Sequence, residues 1–189
     1  MLQISSNLGN IMIMKLIILF FLLGFSNALS QNLIIKDGDT IKLNGETIRF
    51  SGIDTPETIY YKKYIQLCYF KGKKILCGEL SKKKLIEKIN NKKIYCEKEK
   101  QKDRWGRTLG ECFVNNESLS RYLVKNGYAF DFKKYSKNKF SSEQKFAKDN
   151  KLGLWNMEFI YPWEWRSRVR KYMKDKSLIN DVKKWTRIR

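Results

Sequence analysis

The sequence predicts an α+β chain, mainly β: a five-stranded Greek-key barrel of the OB type with about three helices. Three observations carry this. From residue 32 onward, short alternating apolar and polar runs are separated by tight-turn pairs. One stretch with helical spacing falls between the third and fourth of these runs. Two more helical stretches follow the fifth. A generic α+β domain is the alternative on pattern alone.

The elements follow in order. "NLIIK" (32–36) reads as a strand, and Asp37-Gly38 is a turn signal. "DTIKL" (39–43) alternates, Asn44-Gly45 turns the chain again, and "ETIRFSGI" (46–53) alternates once more. Together they make a three-stranded meander. Residues 58–78 form a Lys- and Tyr-rich loop, too long for a plain connection, so either functional or tied down. "GELSKKKLIEKIN" (78–90) spaces Leu80, Leu85, Ile86 and Ile89 as a helix does. "KKIYCEKE" and "TLGECFVN" are the fourth and fifth strands, flanking the turn "DRWGR". "NESLSRYLVKNG" (116–127) reads as a helix with an Asn or Ser cap and Gly127 as its stop. "SSEQKFAKDNKLGLW" (141–155) carries a further helix that begins with Ser and ends before Gly153, and the tail from Tyr161 is basic and aromatic.

Composition narrows the function. The 189 residues suffice for one domain with a real core, and 42% are hydrophobic. The formal net charge is +20, which points to a polyanionic partner: nucleic acid, an anionic membrane surface or an acidic polysaccharide. OB barrels commonly bind nucleic acid. There is no histidine. Ser-His-Asp, Cys-His and histidine-metal mechanisms are therefore excluded.

The N-terminus reads as a targeting segment. Met14-Lys15 precedes the apolar run "LIILFFLLGF" and then the small residues of "SNALSQN". Residues 1–30 are a signal peptide, cleaved after Ala28 or Ser30, with Met14 as an alternative start. Ten apolar residues are few for a bilayer span; an uncleaved anchor is the competing reading. Cleavage removes Lys15 and no acid, leaving a mature chain of net charge +19. The expected location is the periplasm or the exterior. The division expected is a main domain over 31–165 and a basic C-terminal extension over 166–189.

Export makes the four cysteines readable as disulfides. No CxxC spacing exists, which argues against zinc. Of three connectivities, local geometry favours Cys68–Cys77 and Cys96–Cys112. A hairpin centred near Arg104 puts Cys96 opposite Cys112.

Strand parity places Asp39, Ile41 and Leu43 on one face, and Ile48, Phe50, Gly52 and Asp54 on one face of the next strand. Two carboxylates on an apolar face are costly unless paired or metal-bound. A hard cation such as Ca²⁺ would suit them; as isolated residues both are also good turn formers. Strict alternation puts Arg49 opposite Asp54, so it joins them only if the strand bulges or coils. Arg104 and Arg107 flank Trp105-Gly106 at a loop tip, with guanidinium forks suited to phosphate and an indole suited to base stacking.

In this order, "DGDTIKL" (37–43), "IRFSGIDTPE" (48–57), "GE" (78–79), "DRWGRTLGE" (103–111), "LVKNGYA" (123–129) and "GLW" (153–155) resemble the staphylococcal nuclease-like family. The resemblance covers about residues 32–165. It implies an OB fold and a Ca²⁺-dependent endonuclease acting on DNA, RNA or both with little sequence preference. It implies Asp39 and Asp54 as carboxylate ligands of Ca²⁺ and the Thr55 carbonyl as a third. Glu57 becomes the general base or water-orienting group, and Arg49 and Arg107 the arginines that neutralise the scissile phosphate. Products would carry 3′-phosphates. Tyr135 is a second nucleotide contact after Arg104 and Trp105. The cysteine-bearing loop departs from the simplest members, and Trp105 stands where tyrosine is common. The reading is of a monomer with no obligate protein partner, its basic tail a nucleic-acid grip or a weak membrane-surface contact. The alternative function is a non-catalytic OB-fold nucleic-acid-binding module.

Overall fold

The computed structural model describes residues 31–189. The leader expected over 1–30 lies outside the described residues. Residues Asn32–Arg189 form one compact unit.

The meander forms as its pattern predicts. Strands β1 (Leu33–Asp37), β2 (Thr40–Leu43) and β3 (Glu46–Phe50) pair antiparallel, with Ile35 opposite Ile41 and Ile41 opposite Ile48. Asn44 and Gly45 both have positive φ, 50° and 90°, as a two-residue hairpin turn of this hand requires. Asp39 belongs to the β1–β2 turn rather than to a strand face.

The run expected over 46–53 is broken. A turn at Ser51-Gly52 separates β3 from β4 (Ile53–Asp54). Gly52 sits at φ +74°, a conformation that costs little only for glycine. Nor is 58–78 a loop. It folds into a hairpin of β5 (Tyr64–Phe70) and β6 (Lys73–Leu76), turned by Lys71 and Gly72, both at positive φ. The sequence hid it because Lys71 fills the first position of a turn that usually shows as Asn-Gly.

Helix α1 (Cys77–Ile89) follows and ends on Asn90 in the left-handed region. β7 (Ile94–Lys102) and β8 (Thr108–Val114) then make the second hairpin. The main sheet runs β1-β2-β3-β8-β7, with β3 and β8 parallel. The short β9 (Glu117–Ser118) pairs with β8 as a sixth strand. Among the described residues no ladder joins β1 to β7, so hydrogen bonds do not close the sheet into the expected five-stranded barrel. One face packs on α1 and α2 (Leu119–Lys125) through Ile41, Ile48, Phe50, Leu85, Val114, Leu119 and Leu123. Helix α2 is shorter than expected; Ser118 caps it by accepting from the Arg121 N–H.

Strand β10 (Phe130–Asp131) pairs with β4, Phe130 opposite Asp54. Then come the short α3 (Lys133–Ser136) and α4 (Ser141–Asp149), which stops before Gly153 as expected; residues Gly153–Asn156 form a separate 3-10 turn. The tail folds. Helix α5 (Pro162–Lys174) starts on a proline, which needs no N–H partner there. Helix α6 (Ile179–Lys183) and β11 (Thr186–Ile188) follow, and β11 pairs with β5. Trp165, Val169 and Val182 pack with Tyr64 as a second core. The described residues thus hold eleven strands and six α-helices against five and about three expected. No described helix is long and apolar enough to cross a membrane.

Both expected disulfides are present. Cys68 joins Cys77 at the mouth of the β5–β6 hairpin, and Cys96 joins Cys112 across the register of β7 and β8.

Candidate active site

Three breaks in regular structure bring the charged residues together: the β1–β2 turn, the Ser51-Gly52 turn and the Thr55-Pro56 segment after β4. The turn at Gly52 reverses the parity of the chain. Arg49 and Asp54, opposite on a continuous strand, meet with Nη2 2.7 Å from Oδ1. Arg49 Nη1 donates to Asp39 Oδ1. Asp39 Oδ2 accepts from the Thr55 N–H at 2.9 Å, and the Thr40 hydroxyl lies 3.1 Å from Oδ1. One guanidinium therefore bridges two carboxylates, one in the β1–β2 turn and one in β4.

A residue that sequence reasoning missed completes the cluster. Arg166, from α5, places Nη2 2.6 Å from Asp54 Oδ2 and Nη1 2.7 Å from Glu57 Oε1. Its Nη1 also lies 3.2 Å from Asp54 Oδ1. Arg166 stands one residue beyond the stretch of family resemblance, in a basic run whose other arginines look the same. Pairing signals such as i,i+4 spacing are local; a partner more than a hundred residues away leaves none.

The side chains of Asp39 and Asp54 are fully buried. Burial pushes Asp39 up to about 7, with Arg49 pulling against it and Asp37 and Asp54 adding to it. Burial also raises Glu57, opposed by Arg166. For Arg49 burial works against the charge, but Asp39, Asp54 and Asp37 outweigh it and hold its pKa above the ordinary arginine value. Arg166 is raised likewise by Asp54 and Glu57 against its burial. Carboxylates taken this far from water require cations.

Glu57 is set by its backbone. Its N–H donates to Gln66 Oε1 at 3.2 Å and its carbonyl accepts the Gln66 N–H at 3.3 Å. Gln66 is itself fully buried and donates Nε2 to the Ile160 carbonyl at 2.9 Å. Gly78, next to Cys77, passes so close that a Cβ there would lie 2.4 Å from the Glu57 carbonyl carbon.

Arg107 is placed apart. Among the described residues no hydrogen bond or ion pair joins it to Asp39, Arg49, Asp54 or Glu57. Its Nε donates to Asp103 Oδ2 at 2.7 Å, and Asp103 Oδ1 accepts the Trp105 and Arg107 N–H groups, each at 2.9 Å. Arg107 immediately precedes β8, whose Leu109 pairs with Arg49, so the two arginines come from neighbouring strands. Lys36, Thr47, Lys102, Trp105 and Arg107 line a groove beside β3. Trp105 is 65% exposed, with the Arg104 guanidinium 4.0 Å and that of Arg107 5.0 Å from its ring centroid. Tyr135, on α3, is equally exposed and lies against Phe132, which stacks on Trp163. No ring contact joins Tyr135 to Trp105 among the described residues.

The donor set suits a hard cation. It is all oxygen: two buried carboxylates, with Glu57 close by. No group of three or more His, Cys, Asp or Glu side chains is arranged to hold a metal among the described residues. A cation here would take Asp39, Asp54 and a main-chain carbonyl and complete its shell with water, which fits calcium and not zinc. At Thr55 the structure shows the N–H engaged by Asp39.

Comparison with known proteins bears on this arrangement. The sequence model of the family described as "Staphylococcal nuclease homologue" matches residues 47–157, more than half of the chain. The span includes Arg49, Asp54, Glu57 and Arg107 and leaves out Asp39 and Arg166. The chain is 31% identical over 127 residues to the succinoglycan biosynthesis protein ExoI of Rhizobium meliloti (strain 1021), covering 66% of this chain and 63% of that protein. It is 32% identical over 131 residues to the SPbeta prophage-derived endonuclease YokF of Bacillus subtilis (strain 168), covering 64% and 41%. It is also 32% identical over 131 residues to the endonuclease YncB of the same organism, covering 64% and 58%. The chain thus spans less than two thirds of each of these relatives.

Proposed function

Since this chain belongs to the staphylococcal nuclease family, whose domain is an OB fold, we propose that it is a Ca²⁺-dependent endonuclease. It hydrolyses phosphodiester bonds of DNA, RNA or both with little sequence preference. The observation that carries this reading is the convergence of Asp39 from the β1–β2 turn, Arg49 from β3, Asp54 from β4 and Glu57 from the segment after it.

Asp39, Asp54 and the Thr55 carbonyl would hold the cation. Bound calcium supplies Lewis-acid polarisation of a phosphoryl oxygen and a template for the substrate. Glu57 accepts a proton from the attacking water, whose oxygen bonds to phosphorus. The P–O5′ bond breaks, leaving a 3′-phosphate, and the 5′ oxygen takes a proton from solvent water while Glu57 returns its own to solvent. Burial raises Glu57 and so strengthens it as a base. Arg49 and Arg107 stabilise the charge gathering on the non-bridging oxygens. Arg107 reaches the phosphate from the groove side, and Arg104, Trp105 and Tyr135 contact neighbouring nucleotides.

The leader directs the chain out of the cytoplasm, and two disulfides suit that destination. N-terminal sequencing of the mature protein, starting near residue 29 or 31, checks this.

A second reading, a binding module without turnover, is favoured by the basic groove beside β3. Plasmid nicking and RNA digestion by purified, oxidised protein separate the two. Cleavage with Ca²⁺ that stops in EDTA supports the enzyme. Undiminished cleavage in EDTA removes the metal role, and none in any divalent ion leaves the binding module. The variant Glu57→Gln loses turnover and keeps nucleic-acid binding if the enzyme reading holds.

A further inference from the structure

The tail contributes a charge to the site that nothing in the motif order of the sequence anticipates. Helix α5 is not a loose arm. Trp165, beside Arg166, is fully buried, and its Nε1 donates to the Trp185 carbonyl at 2.9 Å and to the Thr186 hydroxyl at 3.0 Å. Strand β11 is hydrogen-bonded to β5, and Gln66 ties β5 to Ile160. Arg166 is thereby held over Asp54 and Glu57 with its side chain 17% exposed.

The cluster holds three carboxylates against two guanidiniums, with every oxygen of Asp54 already engaged: Oδ1 by Arg49 and Arg166, Oδ2 by Arg166. Guanidiniums and a divalent cation on one buried carboxylate repel one another strongly where the dielectric is low. Asp54 cannot hold the cation while both arginines stay on it; Arg49 has Asp39 as a second partner, whereas Arg166 alone covers Asp54 Oδ2.

We propose that Arg166 is a tethered cation that neutralises Asp54 and Glu57 and must leave Asp54 for a divalent cation to bind. This rests on the calcium site of the proposed function. Arg166 then sets how tightly the cation is held, because every binding event first breaks its contacts with Asp54. Its length and four side-chain torsions let it swing away while α5 stays docked. The contact from Nη1 to Glu57 does not need to break, so the displaced guanidinium can remain beside the base.

The test is calcium titration by calorimetry on the oxidised full chain, wild type against Arg166→Gln and Arg166→Lys, with no nucleic acid present. Arg166→Gln is expected to bind Ca²⁺ at least about tenfold more tightly than wild type. Arg166→Lys, which keeps charge but cannot fork across two carboxylates, is expected to fall between. In EDTA both variants melt below wild type, and calcium raises their melting temperatures by more than it raises that of wild type. Equal or weaker calcium affinity in both folded variants overturns the proposal, as does absence of binding in all three proteins. Should Arg166→Gln not fold by circular dichroism, the affinity order of Arg166→Lys and wild type decides alone. Nucleic-acid cleavage by wild type in a panel of divalent ions judges the nuclease reading separately.

Discussion

Arg49 and Asp54 meet at 2.7 Å although five residues of alternating strand would set them on opposite faces. The turn at Ser51-Gly52 is what joins them, and its geometry depends on the missing side chain of Gly52.

Replacing Gly52 by Ala should therefore disturb the site and the fold together. A non-glycine residue at this φ costs about 1–2 kcal/mol. The added Cβ would also lie 3.0 Å from Ser136 Cα, which is backbone and cannot move alone. The expected outcome in a thermal melt is a midpoint lower by about 2–8 °C. Cleavage should fall more than the loss of folded protein explains, because Arg49 no longer reaches Asp54.

Gly78 makes a similar test of Glu57. A Cβ at 78 meets the Glu57 carbonyl carbon at 2.4 Å and the Thr58 nitrogen at 2.5 Å. Gly78→Ala should push the Glu57 segment away from Gln66, costing about 1–3 kcal/mol, as overpacking does. Turnover should drop at least about tenfold while affinity for nucleic acid, which we assign to the groove beside β3, changes little. A full-activity Gly78→Ala protein would remove Glu57 from the chemistry.

The neighbouring disulfide acts on the same segment. Cys68 and Cys77 close a short loop across β5 and β6, worth about 2–3 kcal/mol in chain entropy. The double variant Cys68→Ala/Cys77→Ala should unfold at lower urea. Its remaining folded fraction should also cleave more slowly, since Cys77 precedes Gly78. The pair Cys96–Cys112, in the opposite hairpin, should affect stability alone.

Asp103 gives the pH dependence. Burial works against its charge, but hydrogen bonds from the Arg107 N–H and guanidinium and the Trp105 N–H hold the carboxyl below its ordinary value of 3.8. A folded pKa below the unfolded one contributes stability that is complete above about pH 4 and disappears as pH falls through the folded value. Amide resonances of Trp105 and Arg107 should shift below pH 4 in wild type. In Asp103→Asn they should stand displaced across the whole range. The same variant should weaken cleavage by freeing Arg107, with the Asp39–Arg49–Asp54 cluster unaffected.

Some of this was legible from residues alone because it is local. The meander shows in period-two alternation and in Asn44-Gly45. The Cys96–Cys112 link shows in the spacing of two strands about one turn. The order of "DGDTIKL", "IRFSGIDTPE" and "DRWGRTLGE" marks the family. The β5–β6 hairpin was not legible, because Lys71 takes a left-handed conformation that sequence statistics assign to Asn or Gly. Nor was the second core of Trp165, Val169 and Val182 on Tyr64, which joins segments a hundred residues apart.

The sequence by itself determined which chemistry is available: no imidazole, paired carboxylates near turns, guanidiniums for phosphate, and cysteines at pairing distances. Only the tertiary structure decided which of these groups meet. Parity set Arg49 against Asp54, and a single left-handed glycine reversed it. Arg166 reads as one more charge in a basic tail, and the docking of α5 through Trp165 delivers it to Asp54 and Glu57. The reason is the same in both cases. Side-chain type and spacing are properties of the chain, whereas a contact between distant charges exists only once packing has made their approach cheaper than solvation by water.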